Sequence, residues 1–158
     1  MRGRIASSVV IAAAILVGTA GCNMLAPQTT TKQYTASDGI NTNVGSLDVR
    51  NVVIISDDGE RGNLVFTVIN NSDQKAALRV QYESHGSKDA MTVAVDAHET
   101  KQVGTPDATR TLTLEGMGSQ PGSLFSVYFQ TGQKPGSQIL VPVLDGGLPE
   151  YADLVPAG

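Results

Sequence analysis

Short apolar segments separated by turn residues constrain the fold of this chain more than any other feature of its sequence. From Val44 onward, apolar residues do not recur at helical spacing over more than about one turn, and turn signals arrive about every 8 to 14 residues. Aromatic residues make up 4% of the chain and tryptophan is absent. The core must therefore be built from valine, leucine and isoleucine, which favour strands. These features predict an all-β sandwich.

About seven or eight strands are expected within roughly 110 residues, which matches an immunoglobulin-like domain in size, although the Cys-Trp-Cys signature is missing. Alternation in the first strand becomes a continuous apolar run after Arg50-Asn51, which predicts a bend or bulge there. Pro142 cannot donate to a strand ladder, so the last strand is predicted to lie at an edge or at a bulge. The predicted strands cover 47–56, 63–70 (a central strand), 76–83, about 91–95, about 98–103, 111–114, 124–130 and 139–144.

The N-terminal segment has the features of an export signal. Arg2 and Arg4 supply a positive region, and Val9 to Val17 form an apolar run that is too short for a comfortable membrane span. Gly18 to Cys22 follows and resembles a bacterial lipobox, with Thr19 where such motifs usually carry leucine. We therefore predict a lipoprotein signal peptide over 1–21 and a diacylglycerol group on the Cys22 sulfur. An ordinary secretory signal with a chance cysteine and an uncleaved anchor helix are the alternatives.

This interpretation sets the expected organisation of the chain. Residues 22–43 form the lipidated N-terminus and a polar tether, 44–145 the β-sandwich domain, and 146–158 a C-terminal tail. Two or three acyl chains, at about 0.8 kcal/mol per buried methylene, are enough for stable anchoring. The expected location is the extracytoplasmic face of the cell membrane, with the membrane bound through the lipid on Cys22.

Charge and cysteine content exclude several classes of function. Without Arg2 and Arg4, nine basic side chains remain against 15 acidic ones, a net charge of −6. This balance argues against nucleic acid as a partner and against direct docking on anionic headgroups. With its only cysteine lipidated, the mature chain has no thiol for a disulfide or a redox motif.

Three blocks of the sequence resemble a known group of proteins. They are TTTKQYTASDGIN (Thr29 to Asn41), VRNVVIIS (Val49 to Ser56) and VPVLDGGLPEYADLVP (Val141 to Pro156). The chain is similar in these blocks to small actinobacterial lipoproteins of the LpqE type. Those proteins look distantly related to periplasmic copper chaperones of the PCuAC type. The resemblance implies lipid anchoring and a cupredoxin-like or immunoglobulin-like sandwich, and it implies no particular activity.

The copper-binding pattern of the PCuAC chaperones, H-M-x10-M-x21-H-x-M, does not carry over to this chain. His85 is followed by Gly86, and Thr113 stands where the later histidine would follow Met91. His98 is likewise followed by Thr100 where the paired methionine would be. The resemblance therefore assigns no metal ligand here.

Four side chains of the domain are nevertheless candidate copper ligands: His85, Met91, His98 and Met117. Thioether and imidazole groups suit Cu(I). The alternative interpretation is one core methionine and solvated histidines. We expect no bound metal or other cofactor, and Cu(I) binding no tighter than about micromolar.

Other candidate chemistry is weak. Asp57, Asp58 and Glu60 lack the alternate spacing of a calcium loop and are predicted to form a solvated hairpin turn. The chain contains no G-x-S-x-G element and no phosphate-binding loop. A Ser-His-Asp triad remains open, since a fold can bring distant residues together. We expect that the protein is not an enzyme.

Leu148, Tyr151 and Leu154 recur three residues apart in the tail, so a single helical turn could place them on one side. They either cover an open end of the sandwich and hide an edge strand, or form an exposed peptide that a partner recognises.

The sequence as a whole predicts a membrane-anchored envelope lipoprotein whose β-sandwich is a binding or structural module, and another envelope protein is a candidate partner. The alternative is an extracytoplasmic copper carrier.

Overall fold

The computed structural model describes residues 37–108 and 110–157. The predicted signal peptide, Cys22 and residues 22–36 of the predicted tether lie outside this range. None of the helices in the described range is long and apolar enough to cross a membrane.

Within the described residues the chain forms nine strands and one short helix, which confirms the all-β prediction. Eight of the strands match the eight predicted segments, with ends that differ by a few residues. The strands are β1 (Ile40–Val44), β2 (Leu47–Ile55), β3 (Gly62–Asn70), β4 (Ala76–Ser84), β5 (Ser87–Val95), β6 (Thr100–Val103), β7 (Thr113–Leu114), β8 (Leu124–Thr131) and β9 (Ser137–Leu144), and the helix is α1 (Pro149–Ala152).

The strands form one curled sheet in the order β5-β4-β8-β9-β2-β3-β6, with β1 beside β2 and β7 beside β3. All pairs are antiparallel except β2 with β9, which run parallel where Ile54 and Ile55 lie beside Val143 and Leu144. The two halves of the sheet face each other across the core. Phe66 of β3 and Phe129 of β8 meet there edge to face, with ring centroids 6.0 Å apart. The prediction that β3 is a central strand is confirmed.

The apolar run of β2 is continuous because both faces of this strand are buried. Val52 and Ile54 point into the main core, whereas Val53 and Ile55 belong to a second cluster on the outer face. The bend predicted at Arg50-Asn51 is confirmed by a register shift between Arg50 and Val53 and by a φ of 52° at Asn51.

Strand β1 was not predicted, because Tyr34 to Asn43 is rich in turn residues. The asparagine side chains instead complete the pairing with the β2 bulge. Asn41 Oδ1 accepts a hydrogen bond from the Asn51 amide at 2.8 Å, and Asn51 Oδ1 accepts one from the Gly39 amide at 3.0 Å. The strand begins at Ile40, inside the segment 22–43 assigned to the tether.

The edge position predicted for the last strand is wrong, because β9 lies between β8 and β2. Pro142 is tolerated there because β2 pairs only with the two residues after it, Val143 and Leu144. On its other side Pro142 lies opposite Leu124 of β8.

The tail covers the outer face of β2 and β3. Leu154 is 9% exposed and packs with Val53, Ile55 and Val65, and Tyr151 and Val155 pack against this cluster. Asn63 holds the tail in place, since its Nδ2 donates to the Leu154 carbonyl at 3.0 Å and to the Gly104 carbonyl at 2.7 Å. The tail thus hides a sheet face and not an edge, and Leu148 stays 50% exposed.

Candidate functional site

His98 lies in the turn between β5 and β6, at a φ of 55°. Its Nε2 is 2.8 Å from Asp73 Oδ1, and its backbone amide donates to the Ser72 carbonyl at 3.3 Å. These contacts hold together two turns at the end of the sheet where β4 begins.

His85 lies at the other end of β4, in its turn to β5, at a φ of 47°. Its side chain is 76% exposed, and Nε2 is 3.6 Å from Glu60 Oε2. Strand β4 has nine residues, and a rise of about 3.3 Å per residue separates the two histidines by roughly 25 to 30 Å. They cannot bind one metal ion together.

Both candidate methionines take part in packing. Met117 is 7% exposed and belongs to the main core, where its sulfur lies against Gly62. Met91 is half-buried and packs against the same core. Gly116 contacts the His85 ring. The next residue, Met117, nevertheless points its thioether away from solvent. Across 37–108 and 110–157, no group of three or more His, Cys, Asp or Glu residues is placed to hold a metal ion.

A pair resembling part of a catalytic triad occurs at His98. Asp73 binds the imidazole, and Ser72 is the adjacent hydroxyl residue. The Ser72 hydroxyl, however, donates to Asn70 Oδ1 at 2.8 Å. The Ser72 side chain thereby stabilises the turn between β3 and β4 and is not aligned with the histidine.

The acidic segment 57–60 makes the contacts of a hairpin turn. Asp58 Oδ1 accepts hydrogen bonds from the backbone amides of Arg61 at 2.9 Å and of Glu60 at 2.8 Å, and these bonds lower the pKa of the Asp58 carboxyl. Asp57 Oδ1 accepts from the Gly146 amide at 2.9 Å, which fixes the start of the tail.

The surface feature that sequence reasoning missed is an apolar strip on the outer face of β8 and β9. Leu124 is 59% exposed and Leu140 is 56% exposed, on adjacent strands. Pro142 lies opposite Leu124, and Leu144 continues the same face of β9. With Leu148 these residues define the apolar surface: Leu124, Leu140, Pro142, Leu144 and Leu148.

One end of the apolar surface opens into a groove of about 480 Å³. Its walls come from the end of β9, the turn before β8, the tail, and Asp38, which lies two positions before β1. The residues that line the groove are Asp38, Pro121, Gly122, Leu144, Asp145, Leu148 and Tyr151.

Carboxylates surround the groove. Asp38 accepts a hydrogen bond from the Tyr151 hydroxyl at 2.5 Å, which raises the pKa of Tyr151 to about 12, with burial and the charge of Glu150 adding to the effect. Asp145 Oδ1 accepts from the Gly147 amide at 3.1 Å. No lysine or arginine is among the described residues that line this groove.

A signal for this surface was present in the sequence. The segment 139–144 is apolar at every position, so both faces of β9 carry apolar side chains. One face fills the core with Val141 and Val143. The other face needs a cover, and among the described residues only Leu144 at its end packs with the tail cluster.

Comparisons with known proteins identify the fold. No protein-family model and no curated protein matches the chain. The apo PCuAC domain from PmoF1 aligns with a TM-score of 0.54 at 15% identity, covering 66% of this chain and 98% of that domain. The apo PmoF2 PCuAC domain aligns with a TM-score of 0.53 at 12% identity, covering 69% of this chain and 98% of that domain. The cupredoxin-like fold expected from the PCuAC resemblance is therefore confirmed, while the likeness to LpqE-type lipoproteins stays a prediction.

Proposed function

We propose that this chain is a membrane-anchored lipoprotein of the cell envelope whose β-sandwich binds a protein partner. The observation that carries the proposal is the apolar surface. Single exposed apolar residues are normal in proteins, but a contiguous exposed patch indicates an interaction site. Leu124, Leu140 and Leu148 are each at least half exposed.

Anchoring rests on the sequence. The lipobox-like segment Gly18 to Cys22 supports a lipid on Cys22 and attachment at the extracytoplasmic face of the cell membrane. Asp38 of the groove follows Cys22 by 16 residues in the sequence.

A copper carrier is the second candidate, and it is the fold of the PCuAC domains that favours it. The candidate ligands among the described residues do not fit that role. Its two histidines lie at opposite ends of β4, and the Met117 thioether is buried in the core. A Cu(I) site needs soft ligands that converge, and these do not.

The proposal includes no catalytic activity. Near His98, whose imidazole has a close carboxylate, the Ser72 hydroxyl is engaged with Asn70. His98 is also not buried in a cleft, as many catalytic groups are, because its side chain is 66% exposed.

Site-directed photo-crosslinking in the native membrane tests the proposal. A photoreactive residue at Leu140 should give a discrete crosslinked product, because this side chain belongs to the apolar surface and is 56% exposed. The matched control is Thr92, an exposed residue of β5 on the same sheet. Equal products from both positions, or none from Leu140 and Leu148, would contradict the proposal.

A further inference from the structure

At the Leu144 end of β9, the apolar surface offers side chains and no free backbone. Strand β9 pairs with β8 along its length and with β2 at Val143 and Leu144. The Val143 amide and carbonyl also bond Ser123 and Gly122 at 3.0 and 2.8 Å. A partner therefore cannot add a strand to this end of β9, and recognition depends on apolar side-chain contact.

The charged residues that line the groove are all acidic. Asp38 and Asp145 line the groove, Glu150 lies next to Tyr151 on α1, and Asp57 bonds the Gly146 amide. Arg61, the nearest basic residue along the β2–β3 turn, donates to the Ala157 carbonyl at 3.0 Å and so is already engaged with the tail. The groove thus combines an apolar floor with an acidic rim.

The combination of an apolar floor and an acidic rim favours one kind of binding partner over others. A second copy of the chain would bring its own acidic rim against the first, and an anionic bilayer would meet the same repulsion. A segment with apolar side chains flanked by positive charges satisfies both parts of the surface. Charge complementarity of this kind raises both specificity and association rate.

We infer that the apolar surface and its groove bind a peptide segment of a partner protein in which apolar residues are flanked by lysine or arginine. This inference rests on the proposed partner-binding function and specifies the chemistry of the partner. Apolar contacts with Leu140 and Leu148 supply affinity, and Asp38 and Asp145 supply charge selectivity.

Fluorescence anisotropy with three short synthetic peptides tests this inference on the full chain. One peptide alternates leucine and threonine between lysine pairs, the second has glutamate pairs in place of lysine, and the third keeps lysine but has serine in place of leucine. We expect binding of the first peptide only. Leu140→Gln should weaken it by about tenfold, since one buried leucine side chain contributes about that factor.

Charge is tested separately with Asp38→Asn and Asp145→Asn, because asparagine keeps the acceptor oxygen that bonds Tyr151 or Gly147. Each variant should weaken the lysine peptide about two- to fivefold and reduce the salt dependence of binding. Thr92→Gln is the matched control on the sheet and should change nothing. Circular dichroism melts verify that every variant is folded.

Three results would overturn the inference. They are equal binding of the lysine and glutamate peptides, unchanged binding in Leu140→Gln, and self-association of the chain through Leu140 in sedimentation velocity with no peptide bound. Displacement of the peptide by phosphatidylcholine vesicles would assign the surface to lipid. A crosslinked partner at Leu140 together with failure of the lysine peptide would leave the proposed function standing and reject only the basic and apolar character of the partner segment.

Discussion

The Tyr151 hydroxyl donates a hydrogen bond to Asp38 Oδ2 at 2.5 Å, and this bond ties the C-terminal tail to the residue two positions before β1. The two residues are 113 positions apart in the chain. Both line the groove, so the bond also fixes the shape of the groove wall.

Tyr151→Phe removes this bond and should lower the free energy of unfolding by about 0.5 to 1.5 kcal/mol. The pH dependence follows from the raised pKa of Tyr151, about 12 against an ordinary value of 10. The bond favours the protonated phenol, so its contribution is full below pH 10 and is lost as the pH rises to 12. Urea unfolding at about pH 8 and about pH 11 measures both effects. A wild-type stability that falls no more than that of Tyr151→Phe over this interval would contradict the assignment.

Phe66→Ala should lower the free energy of unfolding by about 3 to 5 kcal/mol, because the ring is 2% exposed and contacts Phe129 across the core. Chemical denaturation measures the change. Leu124→Ala is the control, since this side chain is 59% exposed and should change stability by less than about 0.5 kcal/mol. A loss below about 1 kcal/mol for Phe66→Ala would mean that the ring is not in the core.

Asn63→Ala should destabilise the packing of the tail more than it destabilises the sandwich. The variant leaves the carbonyls of Leu154 and Gly104 without the Nδ2 donor, at a cost of about 1 to 3 kcal/mol. Hydrogen exchange should accelerate most at the Leu154 amide, which bonds the Tyr151 carbonyl at 2.9 Å. Asn71→Ala, at an exposed position, is the control. Uniform acceleration throughout the sheet would show that Asn63 acts on global stability only.

His85→Ala and His98→Ala should leave Cu(I) affinity unchanged and no tighter than about micromolar. The reason is their separation along β4, which prevents shared coordination. Competition with a Cu(I) chelator measures the affinity. A tight stoichiometric site that either substitution abolishes would replace the binding-module proposal with the copper-carrier one.

Cys22→Ala should abolish incorporation of labelled palmitate into the protein, because the proposed lipid is carried on this sulfur. Metabolic labelling followed by immunoprecipitation measures it. Thr19→Leu, which restores the usual lipobox residue, should keep the label. Label that persists in Cys22→Ala would place the acyl groups elsewhere.

Strand positions could be predicted wherever one face carries alternating apolar residues, as in β4 with Leu78, Val80 and Tyr82. Strand β1 escaped prediction because Asn41 and Asn43 are typical turn residues. In the fold, Asn41 bonds a bulge 10 positions away, and Arg50 bonds the Asn43 side chain at 2.6 Å. Such pairings depend on tertiary contacts that local patterns do not encode.

The functional surface was less predictable than the fold. Leu124 and Leu140 lie in apolar segments whose pattern predicts strands. Whether their side chains are exposed to solvent depends on which neighbouring element covers each face of the strand. The separation of His85 and His98 likewise follows from strand order, which periodicity does not give. Leu154 of the tail packs against Val53, Ile55 and Val65, so the prediction that the tail covers part of the sandwich was correct, although it covers a face and not an edge.

The parallel pairing of β2 with β9 has a consequence for the order in which the molecule folds. Val143 and Leu144 join the two halves of the sheet, and each lies 89 residues after its partner in β2. Contacts between such distant segments carry a large loop-closure cost and slow the folding of β proteins. Until Val143 and Leu144 are in place, the side of β2 that they cover at Ile54 and Ile55 has no strand partner among the described strands. We therefore expect closure of the sheet at this pairing to be a late step in folding.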